Sequence, residues 1–159
     1  MVAKAAPDGY TLLFVTSPNA VNATFYENLS FNFLRDIVPV AGVGRGPLVL
    51  LASSSLPART IPEFIAYART PGVKISMASS GTGTITHVAG ELFKLAAEVP
   101  MLHVPYRGET PAITDVIAGQ VQVMFATATA GLTQARAGKL RALAVTSLKP
   151  SALAPELPT

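Results

Sequence analysis

The chain has 159 residues, 50% of them hydrophobic and 13% charged, with a formal net charge of +3, no cysteine and two histidines. That length suits one domain with a full core and falls short of two, and so apolar a composition excludes disorder. Without cysteine there are no disulfides, no thiolate catalysis and no cysteine-based metal site; two separated histidines make no zinc pattern, and a small scattered charge with no basic run among aromatics argues against a nucleic-acid partner.

The first element expected is a buried strand, Thr11 to Thr16, after the Pro7-Asp8-Gly9 turn. The stretch Ile37 to Ala52 is the most apolar, but Pro39, Arg45 and Pro47 interrupt it, so it predicts no membrane span, and Met1-Val2-Ala3-Lys4 opens no apolar signal-peptide core. A second strand is expected at Leu48 to Ala52. Thr60-Ile61-Pro62-Glu63 is a capping box with proline in the first turn, and the helix it opens stops at Pro71-Gly72. Lys74 to Ala78 reads as a strand. The next helix carries Ile85, Val88, Ala89, Leu92, Phe93 and Ala96 at the spacing of a buried stripe, with His87, Glu91 and Lys94 on another face. Met101 to Val104 predicts a strand, Thr110-Pro111 a helix ending at Gly119, Val121 to Phe125 a strand, Leu132 to Ala137 a short helix closed by Gly138, and Leu140 to Thr146 a last strand. Apolar strands alternating with helices predict an α/β fold with a mostly parallel sheet covered on both faces.

In such sheets ligands bind beyond the carboxyl ends of the strands. Four segments leave strands there: Ser17-Pro18-Asn19, Ser79 to Thr84, Pro105 to Gly108, and Thr127 to Thr129. The second is the most informative. A strand runs into Ser79-Ser80-Gly81-Thr82-Gly83-Thr84 and then into a helix, and the unpaired amides and dipole of a helix start stabilise an anion. Gly81 and Gly83 permit close backbone approach, while the hydroxyls of Ser79, Ser80, Thr82 and Thr84 can reach a ligand; the same residues are also what ordinary N-capping requires. Tyr106 and Arg107 could add a ring and a charge.

Several ordered motifs carry a resemblance: Ala5-Ala6-Pro7-Asp8-Gly9-Tyr10, Ser79-x-Gly81-x-Gly83-Thr84-x-x-His87-x-x-Gly90-Glu91, His103-Val104-Pro105-Tyr106-Arg107-Gly108, Ala118-Gly119-Gln120, and Ala137-Gly138-Lys139-Leu140-Arg141. Together these resemble the Bug family, the substrate-binding proteins of tripartite tricarboxylate transporters. The resemblance implies a periplasmic, two-lobed, non-catalytic receptor of the periplasmic-binding-protein type II kind, which closes on a small carboxylate and hands it to the membrane components of its transporter. Its implied contacts are Ser17 and Asn19 in one lobe and Ser79, Ser80, Gly81, Thr82, Gly83, Thr84, His87, Tyr106 and Thr127 in the other, with no metal and no cofactor. His87 fits better as a support of the loop than as a contact.

Two departures stand out. Family members commonly carry an acid just after the strand that ends at Phe125, where this chain has Ala126-Thr127; an acid would suit an ammonium, so its loss points to a plain or aromatic carboxylate. Family members are also about twice as long. The expectation is a chain truncated at both ends, with 1–45 a remnant of the first lobe and 46–159 the second, and with the orphan strand Thr11 to Thr16 pairing in a homodimer. The alternative is a nucleotide- or phosphate-binding α/β enzyme using the Gly81-x-Gly83 turn. It lacks the Walker lysine, and Thr86 stands where a dinucleotide fingerprint needs its third glycine. A serine hydrolase fares no better, since no Gly-x-Ser-x-Gly elbow is present.

Overall fold

A computed structural model describes residues 2–26 and 28–159. The chain divides into two units, Met1–Gly44 and Arg45–Thr159. In the first, a short turn of 3-10 helix (Val2–Lys4) precedes helices α1 (Ser17–Phe25) and α2 (Phe33–Asp36). Asn32 caps α2, its side-chain oxygen accepting from the amides of Leu34 at 3.1 Å and Arg35 at 3.0 Å. The expected strand Thr11 to Thr16 does not form: the segment joins no ladder, and Leu12 is 71% and Phe14 70% exposed. Apolar sequence alone cannot make a strand, whose amides and carbonyls need a neighbouring chain.

The second unit is built on a five-stranded sheet in the order β3-β2-β4-β1-β5, with β1 (Leu48–Ser53), β2 (Ser76–Ser79), β3 (Leu102–Pro105), β4 (Val123–Thr127) and β5 (Leu140–Val145). The α/β class is as expected, but the sheet is mixed. β2 is parallel to β3 and β4, whereas β1 is antiparallel to both β4 and β5. Four strands therefore run one way and β1 alone runs back. Its amino end consequently lies beside the carboxyl end of β4, Leu48 pairing with Thr127.

Helices cover both faces. Leu48, Leu50 and Ala52 point to one layer with Met77, Val123 and Phe125, closed by α3 (Ile61–Ala68) and α4 (Ile85–Ala97). Val49 and Leu51 point to the other with Ala78, Met124 and Ala126, closed by α5 (Glu109–Ile117) and α6 (Ala128–Arg136). Every residue of β1 is buried, which is why it reads as a continuous apolar run. The capping box of α3 is real but shifted: Thr60 Oγ1 accepts from the Glu63 amide at 3.3 Å, while the Glu63 carboxylate reaches back to the amide of Arg59 at 2.7 Å.

The packing of α4 differs from the expected stripe. Its fully buried residues are Thr86 and Gly90, with Ala89, Phe93 and Ala97 packed against the first core layer, whereas Leu92 is 61% and Leu95 78% exposed. Gly90 sets this rotation, because a Cβ there would run into the sulfur of Met77, and without one the helix closes directly onto β2.

Candidate functional site

The carboxyl ends of β2, β3 and β4 place three loops on one edge of the sheet, the arrangement in which α/β proteins hold ligands. The loops after β2 and β3 are tied together: Tyr106 donates its amide to the Ser79 carbonyl at 3.0 Å, and Gly108 donates to the Ser80 carbonyl at 3.1 Å. Gly81, at a φ of 138°, brings its backbone so close to the Tyr106 carbonyl that a Cβ would stand 3.3 Å from it.

Within the Ser79 to Thr84 loop, most polar hydrogens are already used. The hydroxyl of Thr84 donates to the Gly81 carbonyl at 2.6 Å, so in its 2.9 Å contact with Thr86 Oγ1 it must accept. Thr86 has then spent its one proton, so Ser80 Oγ donates to it at 2.9 Å, and the Ser80 amide does so as well at 2.9 Å. The result is a directed chain from Ser80 through Thr86 and Thr84 to the Gly81 carbonyl, with the buried Thr86 oxygen at its hub. The Gly81 amide goes to Ser79 Oγ at 3.2 Å, the Gly83 amide to His87 Nδ1 at 3.1 Å and the Thr84 amide to the Gly81 carbonyl at 3.2 Å. An anion seat on all the amides from Gly81 to Thr84 is thus narrowed. Within this loop and the first turn of α4, the amides of Thr82, Ile85, Thr86 and His87 have no acceptor among the described residues, nor does the hydroxyl of exposed Thr82.

His87 stands behind this loop. Accepting from Gly83 fixes its proton on Nε2, which faces Glu91 Oε1 at 3.7 Å, and Glu91 in turn holds Lys94 at 2.9 Å. Its ring stacks on that of His103, with centroids 3.9 Å apart and planes at 19°. His103 Nε2 lies 2.6 Å from the oxygen of fully buried Ser79. Burial first, and then the facing His87 ring and Lys94, lower the pKa of His103 below its ordinary 6.5, with Glu91 opposing them. Since the native state favours neutral His103, the unfolded chain binds protons more readily. Stability should therefore be constant above pH 6.5 and fall as the pH drops below it, until the lowered native pKa is passed. Melting temperatures from pH 8 to about 5 should show this slope, and His103→Gln should flatten it; an unchanged slope would assign it to other groups.

The other predicted residues are placed differently. Tyr106 Oη donates to Asp115 Oδ2 at 2.7 Å, and burial together with that carboxylate pushes its pKa up to about 12, so the hydroxyl serves the α5 side of the core. Thr127 gives both its polar hydrogens to Glu109, the amide to Oε1 at 2.5 Å and the hydroxyl to Oε2 at 2.9 Å. Ser17 and Asn19 lie in the first unit at the start of α1, where Asn19 Oδ1 accepts the Thr16 amide at 2.9 Å. Sequence reasoning did not single out Thr86, Glu109 or Asp115 as site residues, nor His103 beyond its place in a motif. An alternation of hydroxyl residues at 80, 82, 84 and 86 was the available signal for Thr86. Beside the loop cluster, a groove of about 510 Å³ runs between Ile85, Val88 and Leu92 of α4 and the Leu48, Thr127 and Thr129 corner. Among the described residues no cluster of His, Asp or Glu could hold a metal ion, and no helix is long and apolar enough to cross a membrane.

Comparison with known proteins agrees with this architecture. R. palustris Rpa4515 with adipate superposes with a TM-score of 0.90 at 33% identity over 99% of this chain and 53% of its own. MatC from Rhodopseudomonas palustris with bound malate gives 0.86 at 28% identity, over 99% of this chain and 54% of its own. The periplasmic binding protein BugD gives 0.82 at 32% identity, over 99% of this chain and 53% of its own. Among curated relatives, a UPF0065 protein in the tcbD-tcbE intergenic region of a Pseudomonas species is 39% identical over 100% of this chain and 47% of its own length. Protein BugT of Bordetella pertussis is 35% identical over 99% of this chain and 49% of its own. The chain spans about half the length of the curated relatives it matches. All of residues 1–159 match the tripartite tricarboxylate transporter family receptor, TctC, and the chain belongs to that family.

Proposed function

We propose that this chain forms part of a non-catalytic receptor that holds a small carboxylate at the edge where β2, β3 and β4 end, and presents it in the periplasm to the membrane components of a tripartite tricarboxylate transporter. The observation that carries the reading is the loop from Ser79 to Thr84, which is braced by its own hydrogen bonds and by Thr86, His87 and the Tyr106–Gly108 loop, and leaves the Thr82 amide and hydroxyl and the first-turn amides of α4 as donors without acceptors. Donors of that kind stabilise a carboxylate through helix-dipole and charge-assisted hydrogen bonds. The carboxylates named with two structural neighbours, adipate and malate, support the same ligand class. In this reading Ser17 and Asn19 belong to the receptor's other lobe, and residues 46–159 to the lobe that carries the main seat.

A lobe that leaves its ligand open to water should bind weakly, roughly millimolar, equivalent to about 4 kcal/mol. Calorimetry and thermal shift across four- to six-carbon carboxylates, amino acids and nucleotides test this. Saturable heat with at least one carboxylate and none with nucleotides is the expected result. A response to nucleotides alone would overturn the reading in favour of a phosphate site.

A further inference from the structure

Glu109 is the first residue of α5, yet its carboxylate serves another element. One oxygen accepts the amide of Thr127 at 2.5 Å and the other accepts the hydroxyl of Thr127 at 2.9 Å, where β4 ends and α6 begins. Gly108, immediately before it, is held to the Ser80 carbonyl at 3.1 Å, so Glu109 bridges the proposed anion loop and the β4–α6 corner. The family resemblance puts an acid just after Phe125, where this chain has Ala126-Thr127, the last two residues of β4. The acid is present at that corner all the same, supplied from α5.

The donor count at the corner reverses the role of Thr127. Its amide and its one hydroxyl proton are both given to Glu109, so in its 3.4 Å contact with Thr129 its oxygen can only accept. Nothing at the corner is then left to hold a ligand anion through Thr127. What the corner offers instead is acceptors: a carboxylate has about four lone-pair sites and Thr127 fills two of Glu109's. The starts of α5 and α6 stabilise the negative charge, which keeps it in place.

We propose that Glu109 is a specificity-determining residue of the site, selecting a carboxylate ligand that carries a hydrogen-bond donor, a hydroxyl or ammonium, towards the β4–α6 corner, and rejecting one that turns a second carboxylate there. The proposal rests on the carboxylate-binding reading above. It also replaces the inference that Ala126-Thr127 points to a plain or aromatic carboxylate, because the acid missing from the strand end is restored in space.

A matched four-carbon set separates the alternatives: succinate lacks a donor, malate adds a hydroxyl and aspartate an ammonium. By calorimetry the wild-type chain should bind malate or aspartate about tenfold more tightly than succinate. Glu109→Gln keeps an acceptor for the Thr127 amide but removes the charge; it should shrink that ratio to about threefold or less, with succinate binding improved. An equal ratio in wild type and variant, or succinate bound as tightly as malate by the wild type, overturns the Glu109 assignment alone. If neither protein binds any of the three while both remain folded by circular dichroism, the carboxylate-binding reading fails and this inference fails with it.

Discussion

Phe64→Ala should lower the stability of the Arg45–Thr159 unit by about 3–5 kcal/mol while leaving carboxylate affinity unchanged. The ring is wholly buried on α3 and stacks on Phe93 of α4 at 5.9 Å between centroids; Phe93 in turn leans on Phe125 of β4 at 5.8 Å. These three rings join two helices to the sheet, and with Gly90 against Met77 they hold α4 in its rotation. Truncating the wholly buried end of such a stack removes its transfer free energy and leaves a cavity that the surrounding strands cannot collapse to fill. A loss of that size is a large part of the 5–15 kcal/mol typical of a domain, so the urea midpoint should drop steeply at unchanged slope. The loop after β2 is held by hydrogen bonds to the first turn of α4 and to the loop after β3, none of them made by Phe64, so ligand binding in the surviving folded fraction should not move. A loss below about 1 kcal/mol would mean that the aromatic stack does not anchor α4.

What could be read from the chain follows a physical division. Signals that are local in sequence survive folding: Thr60 with Pro62 and Glu63 opens α3, Gly138 follows α6, and the apolar run at Leu48 is β1 to within a residue. The direction of β1 was not readable, because a strand buried on both faces shows the same run whether its neighbours are parallel or antiparallel. The rotation of α4 was misread for a related reason: hydrophobic periodicity rewards large residues, but the helix is seated by a glycine and a threonine, and small residues are what allow close approach. Thr11 to Thr16 shows the limit most plainly, since a strand depends on a partner that its own residues do not encode. In the site, residue types indicated an anion loop. Which hydroxyls face a ligand and which are spent inside depends on donor and acceptor counts fixed only by coordinates, and these give the hydroxyl protons of Thr127 and Tyr106 to Glu109 and Asp115.

The strongest demand on the loop falls on a residue chosen for none of these reasons. Thr86→Val is nearly isosteric, so it opens no cavity; what it removes is the oxygen that accepts both the amide and the hydroxyl of Ser80 and donates to Thr84. The Ser80 hydroxyl can rotate towards another acceptor, but its amide is fixed in the backbone, and an amide left unpaired away from water costs about 1–3 kcal/mol. Adding the lost donation to Thr84, the expected destabilisation is about 2–3 kcal/mol. Unlike Phe64→Ala, this change should also weaken carboxylate binding, by about tenfold, because the donors at Thr82 and in the first turn of α4 are useful only while the loop holds them in one geometry. Thr86→Ser returns the oxygen and should recover most of both losses. Hydrogen exchange gives a local readout: the Ser80 amide should lose protection in Thr86→Val ahead of the core strands and regain it in Thr86→Ser. If Thr86→Val matches the wild type in stability, in Ser80 protection and in affinity, the hydroxyl chain does not hold the loop, and the donors that define the candidate site have no fixed support.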